Sequence, residues 1–191
     1  MIEELIEWDK KALIFMNGFH SPVVDPVMIL ITKTLFWLPL YAFLIYLLFR
    51  NYKRDTWFIL LGVVITILLS DQITSSIMKP LFARLRPSHD PTLQHLIHLV
   101  NDYRGGLYGF ASSHASNSFA TAIFVWLALK PFYRWIWIIF LWAFVMTYTR
   151  IYLGVHFPGD VLVGAAVGLC SGWIGFQVGM LLKNKRASQQ I

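Results

Sequence analysis

The chain has 191 residues, of which 57% are hydrophobic, 16% aromatic and only 14% charged. Soluble domains average roughly 25% charged residues, so this composition excludes a disordered chain and a disulfide scaffold, and argues against an ordinary cytosolic enzyme. Sixteen Lys and Arg against ten Asp and Glu leave a net charge of +6, but the basic residues fall in small groups between apolar runs, a pattern of membrane edges rather than of nucleic-acid binding.

Residues 2–19 read as an amphipathic helix. Ile2, Leu5, Ile6, Leu13, Phe15 and Met16 lie among Glu3, Glu4, Glu7 and Asp9, and such a helix lies in the membrane interface instead of crossing it. The acidic start is unlike a signal peptide, which opens basic. Five apolar stretches then qualify, or nearly so, as spans of about 20 residues: 26–49, 56–78, 113–129, 133–150 and 158–182. The third is short and starts polar, so its first turns line something wet. The fifth carries Gly164, Gly168, Gly172, Gly175 and Gly179, a spacing that lets helices approach closely in lipid. Cys170 lies in the same stretch; as the only cysteine it forms no intramolecular disulfide and reads as packing. The predicted fold is one all-α membrane domain over 1–191: a polytopic bundle of five transmembrane helices with the N-terminal interfacial helix.

The connection 79–112 is long and polar, and loops of that length are usually functional or disordered. With five spans, eight basic residues (Arg50, Lys53, Arg54, Lys130, Arg134, Lys183, Lys185 and Arg186) share one side, and seven (Lys10, Lys11, Lys79, Arg84, Arg86, Arg104 and Arg150) share the other. Setting aside three of the seven for chemistry makes the bias eight to four and turns the 79–112 loop outward. Lys33 and Asp71 each fall about seven residues inside their spans, roughly 10 Å deep at 1.5 Å per residue, and are expected to pair with each other. Arg84 is expected at lipid headgroups, and His20, His89, His95 and His98 as solvated loop histidines.

Three polar clusters sit at span ends on the outer side: Lys79 with Arg86-Pro87, Ala111-Ser112-Ser113-His114, and Thr149-Arg150 followed by His156 and Asp160. Singly, each cation reads equally well as a snorkelling anchor. Together, Lys79, Arg86 and Arg150 can surround a dianion, with the arginines binding oxygens in bidentate fashion. Ser112 and Ser113 open a helix, whose free N–H groups favour an anion. His156 stands four residues before Asp160, so the carboxylate can hold one imidazole nitrogen and leave the other basic. His114 stands apart as a proton donor. These parts suit phosphoryl transfer.

The pattern resembles the type 2 phosphatidic acid phosphatase family, a membrane branch of the acid phosphatase and vanadium haloperoxidase superfamily. Its signature is Lys-x6-Arg-Pro, Pro-Ser-Gly-His and Ser-Arg-x5-His-x3-Asp. All charged and histidine positions match in order and spacing over spans two to five. Ala111, Ser113 and Thr149 stand where the family has Pro, Gly and Ser; Ser113 adds a hydroxyl beside the phosphate site and bears on substrate preference more than on activity. The resemblance implies a lipid phosphatase without cofactor or metal. His156 attacks phosphorus and forms a phosphohistidine, Asp160 orients it, and His114 protonates the leaving oxygen and then helps activate water. Lys79, Arg86, Ser112, Ser113 and Arg150 bind the phosphate. The implied partner is a membrane lipid phosphate within the bilayer, with no nucleic acid. Undecaprenyl diphosphate is the leading expectation, with phosphatidylglycerol phosphate, phosphatidic acid and lipid A 1-phosphate as rivals. Phosphoryl transfer to another lipid, and a non-hydrolytic lipid-binding or transport protein, are the alternatives. The expected location is a bacterial inner membrane with a periplasmic site.

Overall fold

The computed structural model describes residues 1–188, and among them every regular element is helical; Leu85 and Tyr108 form an isolated antiparallel bridge. The helices are α1 (Ile2–Asn17), α2 (Asp25–Ile31), α3 (Leu38–Tyr52), α4 (Thr56–Asp71), α5 (Lys79–Phe82), α6 (Ser113–Leu129), α7 (Ile139–Tyr152) and α8 (Pro158–Ser188). A π-helical turn, Gln72–Met78, joins α4 to α5. Three stretches, Thr34–Phe82, Arg134–Tyr152 and Pro158–Ser188, are long and apolar enough to cross a membrane. The first holds both α3 and α4, separated where Lys53 takes φ +52°; α6, at 17 residues, is shorter. Large apolar side chains face outward along these helices, among them Phe43, Leu61, Val64, Phe144, Leu162 and Leu181. A water-facing surface of that kind is unfavourable, whereas lipid is its natural solvent.

Small residues set the packing. Cβ atoms built on Gly164, Gly168 and Gly172 run into the backbone oxygens of Ser112, Ser116 and Ala120, so α6 and α8 lie parallel with their backbones in contact. Gly62 and Thr66 of α4 meet Gly175 and Gly179 of α8 in the opposite order, which makes α4 antiparallel to both. On the far side, Leu44, Leu47 and Leu48 of α3 and Trp142, Ala143 and Met146 of α7 bury against Phe119, Phe124 and Val125 of α6. Cys170 is exposed, contrary to its expected role in packing; it faces outward beside Leu169 and Trp173 because the glycines take the inward face of α8.

The N-terminal helix α1 packs on the bundle through few residues. Ile2, Leu5, Trp8 and Phe15 are exposed, while Leu13 and Asn17 are buried. Asn17 satisfies backbone at the end of α7: its amide donates to the carbonyls of Tyr152 at 2.7 Å and Ile151 at 3.3 Å, and its oxygen accepts from His98 N at 2.7 Å. This secures the turn Leu153–Phe157, which carries His156 between α7 and α8.

Two further expectations fail. Lys33 and Asp71 do not pair: Asp71 accepts from Ser75 at 3.1 Å, and Lys33 lines a cavity near Tyr103. The depth estimate assumed unbroken helices, but α2 stops at Ile31 and the chain makes a 3-10 turn over Thr34–Trp37 before α3 begins. His98 is not a solvated loop residue. Its Nε2 lies 2.9 Å from Asp25 Oδ2, and its ring stacks on His20 with centroids 3.9 Å apart.

Candidate active site

The sequence clusters meet at one end of the bundle. His114, at the start of α6, lies within electrostatic reach of Arg150, His156, Arg86 and Lys79, although these residues come from three separate parts of the chain.

Each cation is held from behind. Arg150 is 1% exposed; Nη1 donates to Thr32 Oγ1 at 2.8 Å and Nη2 to Tyr103 OH at 3.3 Å, and its Nε is buried without a protein partner among the described residues. Arg86 donates from Nε to the Tyr108 carbonyl at 3.1 Å, and its Nη1 is buried and likewise unpartnered among the described residues. Gly105 adopts φ +66°, and a Cβ there would stand 2.7 Å from Arg86 Nη1, so glycine allows the loop to close over the guanidinium. Burial, reinforced by the charge of Arg150, pushes Arg86 down to about 10, which leaves it cationic at neutral pH. Buried guanidinium N–H groups without partners are costly, and an anion such as phosphate is the kind of group that can accept from both.

Lys79 donates to Ser113 Oγ at 2.6 Å and to Ser75 Oγ at 3.4 Å. Thr74 also donates to Ser113 Oγ, at 3.0 Å. The π-helical turn rotates Thr74 and Ser75 toward this point, in keeping with the frequent occurrence of such turns at functional sites. The hydroxyl that Ser113 adds to the family pattern thus tethers Lys79. Ser112 is the N-cap of α6, its Oγ accepting from Ala115 N at 3.4 Å. Its own N–H donates to the carbonyl of Asp160 at 3.0 Å, which joins the starts of α6 and α8.

His156 is 1% exposed, with Nδ1 facing Asp160 Oδ2 at 3.4 Å. Its backbone N–H donates to the carbonyl of Arg150 at 3.2 Å, fixing the turn. Gly109 lies against this pair: a Cβ there would be 3.0 Å from Asp160 Oδ2 and 3.5 Å from His156 Nδ1. Burial, followed by the repulsion of Arg86, Arg150 and Lys79, holds the imidazole well below the usual histidine range. The ring is therefore neutral at neutral pH, the form in which an imidazole nitrogen can act as a nucleophile.

Asp160 is fully buried, and its carboxylate is shared. Oδ2 also accepts from Phe157 N at 3.0 Å, while Oδ1 accepts from Arg84 Nη1 at 2.7 Å. Arg84 is therefore not a headgroup contact, as expected from sequence, but a structural partner of the candidate orienting carboxylate. Tyr103 and Thr32 were also missed, because neither carries a sequence signal linking it to Arg150. A cavity of about 440 Å³ opens beside His114 and Arg150, lined further by Tyr103, Lys33 and Leu153. Among the described residues no three His, Cys, Asp or Glu side chains are grouped to hold a metal ion.

The profile of the PAP2 superfamily matches residues 59–182, which contain every one of these side chains except Thr32 and Lys33. The chain belongs to the PAP2 superfamily. It is 42% identical over 177 residues to a lipid A 4'-phosphatase of Bacteroides thetaiotaomicron, covering 91% of this chain and 78% of that one. A lipid A 4'-phosphatase of Porphyromonas gingivalis is 35% identical over 188 residues, covering 96% and 78%. An undecaprenyl-diphosphatase of Sulfolobus acidocaldarius is 26% identical over 178 residues, covering 91% and 78%. The crystal structure of Aquifex aeolicus LpxE superposes with a TM-score of 0.67 at 26% identity, over 87% of this chain and 93% of the other. The protein is an integral membrane lipid phosphatase.

Proposed function

We propose that this PAP2 protein removes a phosphate from lipid A, through a phosphohistidine on His156. The observation that carries the chemistry is the pocket itself, where Arg86 Nη1 and Arg150 Nε remain unpartnered beside two imidazoles. The substrate follows from the two relatives named lipid A 4'-phosphatase, at 42% and 35% identity. They favour lipid A over undecaprenyl diphosphate, the leading expectation within the family resemblance, for which a relative at 26% identity speaks. They also favour the 4' position over the 1 position.

In this reading Lys79, Arg86, Arg150, the Ser112 hydroxyl and the Ser113 N–H hold the phosphoryl oxygens and the charge that grows on them. His156 Nε2 attacks phosphorus while Nδ1 faces Asp160. As the bond to the sugar oxygen breaks, His114 gives that oxygen its proton. Water then attacks the phosphohistidine, His114 takes the water's proton, and inorganic phosphate leaves with His156 restored. The residues supply the charge that a metal ion would otherwise provide, so the reaction needs no cofactor.

For the placement in the membrane, α3, α4, α6, α7 and α8 serve as five spans, α1 lies in the interface, and the site faces the periplasm from a bacterial inner membrane. The opposite direction of α4 to α6 and α8, and the exposed apolar side chains of α1 such as Ile2, Leu5 and Trp8, support that placement. The test is phosphate release by purified protein from bis-phosphorylated lipid A, undecaprenyl diphosphate, phosphatidylglycerol phosphate and phosphatidic acid, with EDTA present and His156→Ala as control. Lipid A is expected to turn over fastest, with mass spectrometry locating the loss at 4'. Preference for another lipid refutes the substrate, and activity abolished by EDTA or surviving in His156→Ala refutes the mechanism.

A further inference from the structure

We infer that Asp9, on α1, is a positioning residue for the reaction: through Arg84 it fixes the carboxylate of Asp160, and so ties the seat of the N-terminal helix to the imidazole of His156. This rests on His156 and Asp160 acting as proposed above. Arg84 Nη1 donates to Asp160 Oδ1 and Nη2 to Asp9 Oδ2, both at 2.7 Å. The guanidinium lies over the ring of Phe157, 3.9 Å from its centroid, so its plane is set from below while its two ends are set by carboxylates. Asp9 also accepts from Gly159 N, the residue before Asp160, at 2.7 Å. A Cβ on Gly159 would lie 2.8 Å from Asp9 Oδ2, and this absence of a side chain is what lets the carboxylate approach the start of α8.

The same face of α1 continues through Leu13, buried with Phe157 and Ile151, to Asn17, bound to the end of α7. One stripe at positions 9, 13 and 17 thus clamps both ends of the segment that carries Arg150, His156 and Asp160. Ile2, Leu5 and Trp8, in the turns before Asp9, are exposed and apolar. Displacing α1 therefore moves Asp9 and frees Arg84, whose side chain is 25% exposed, to turn toward solvent.

A structural strut and a positioning residue differ in the pH profile. His156 is faced by Lys79 at α5, Arg86 of the loop, His114 of α6, Arg150 of α7 and Asp160 of α8, with Arg84 behind Asp160 and Asp9 behind Arg84. Removing the negative charge at 9 leaves Arg84 to neutralise Asp160 more fully, which disfavours a proton on His156. Removing the positive charge at 84 does the opposite.

The experiment uses the full chain in detergent micelles with bis-phosphorylated lipid A, activities being normalised to folded protein by thermal melting. Asp9→Asn, which is isosteric, is expected to lower kcat about tenfold with KM within about twofold, in the range typical of partners that orient a histidine, and to move the acid limb of kcat/KM to lower pH. Arg84→Met is expected to lower kcat further and to move that limb to higher pH. In the Arg84→Met background, Asp9→Asn changes the rate by less than about twofold, because residues that act as a unit are not additive. Wild-type kcat and an unmoved limb in Asp9→Asn, or limbs shifted in the same direction in both single variants, overturn the inference. With His156→Ala inactive, that outcome counts against Asp9 alone; activity surviving in His156→Ala removes the nucleophile on which the inference stands.

Discussion

Gly168→Ala tests whether the contact between α6 and α8 builds the site. The added Cβ meets the backbone oxygen of Ser116, its carbonyl carbon at 2.9 Å and the backbone nitrogen of Ala120 at 3.0 Å. All three atoms are backbone, so no side chain can rotate away and the helices must separate, by about 1 Å if ordinary contact distances are restored. Overpacking of this kind costs about 1–3 kcal/mol, which for a domain of this size corresponds to a fall in Tm of roughly 2–12 °C at about 2–4 °C per kcal/mol. The shift also reaches chemistry. The α6 helix carries Ser112, Ser113 and His114, α8 carries Asp160, and the two starts are joined by the 3.0 Å bond from Ser112 N to Asp160 O. A displacement of about 1 Å at reacting groups can cost roughly 100-fold in rate. Thermal melting followed by tryptophan fluorescence, with phosphate release on the same samples, measures both effects. Gly106→Ala is the control, because nothing lies within 4 Å of a Cβ there. A Gly168→Ala protein that melts and turns over like wild type refutes the backbone contact.

Arg150→Lys keeps the charge but loses the fork that reaches Thr32 and Tyr103, and is expected to lower kcat/KM about 100-fold in the phosphate-release assay; an effect below about threefold contradicts the need for a guanidinium held in that fork. Because burial and three cations depress His156 below its ordinary 6.5, the acid limb of kcat/KM lies below pH 6.5 once the phosphate's own ionisation near pH 6 is allowed for. The same shift has a stability sign. The unfolded chain takes up a proton at about pH 6.5 that the folded chain refuses, so the contribution of His156 is complete above that pH and is lost as pH falls toward the depressed folded value. Chemical denaturation of wild type and His156→Gln across pH 5–7 checks this; an equal pH slope in the two proteins contradicts it.

The charged core of the site was legible because spacing encodes it. His156 and Asp160 are four apart across the start of a helix, and they meet there. Lys79 and Arg86 bracket a helix end and a loop, and both come within electrostatic reach of Arg150. Helix α6 begins and ends where its apolar run does, at Ser113 and Leu129, with Ser112 as its cap. What pattern did not reveal was the breaks and the partners. Hydropathy is blind to the 3-10 turn over Thr34–Trp37 and the π-helical turn over Gln72–Met78, since both remain apolar enough to look continuous; the false pairing of Lys33 with Asp71 came from that. Arg84 reads as one more interfacial cation until the fold brings Asp9, 75 residues away, to its other side. Tyr103 sits in a polar loop that gives no hint of its bond to Arg150.

The most direct test of the central claim is to look for phosphate on His156. Full-length protein mixed rapidly with lipid A labelled in its phosphates, quenched in alkali and digested, is expected to carry label on the peptide containing residue 156. That label should be stable to base, lost in acid, and absent from His156→Ala. Label on any other residue, or none from an enzyme shown to be turning over on the same timescale with a burst of released sugar, contradicts the account.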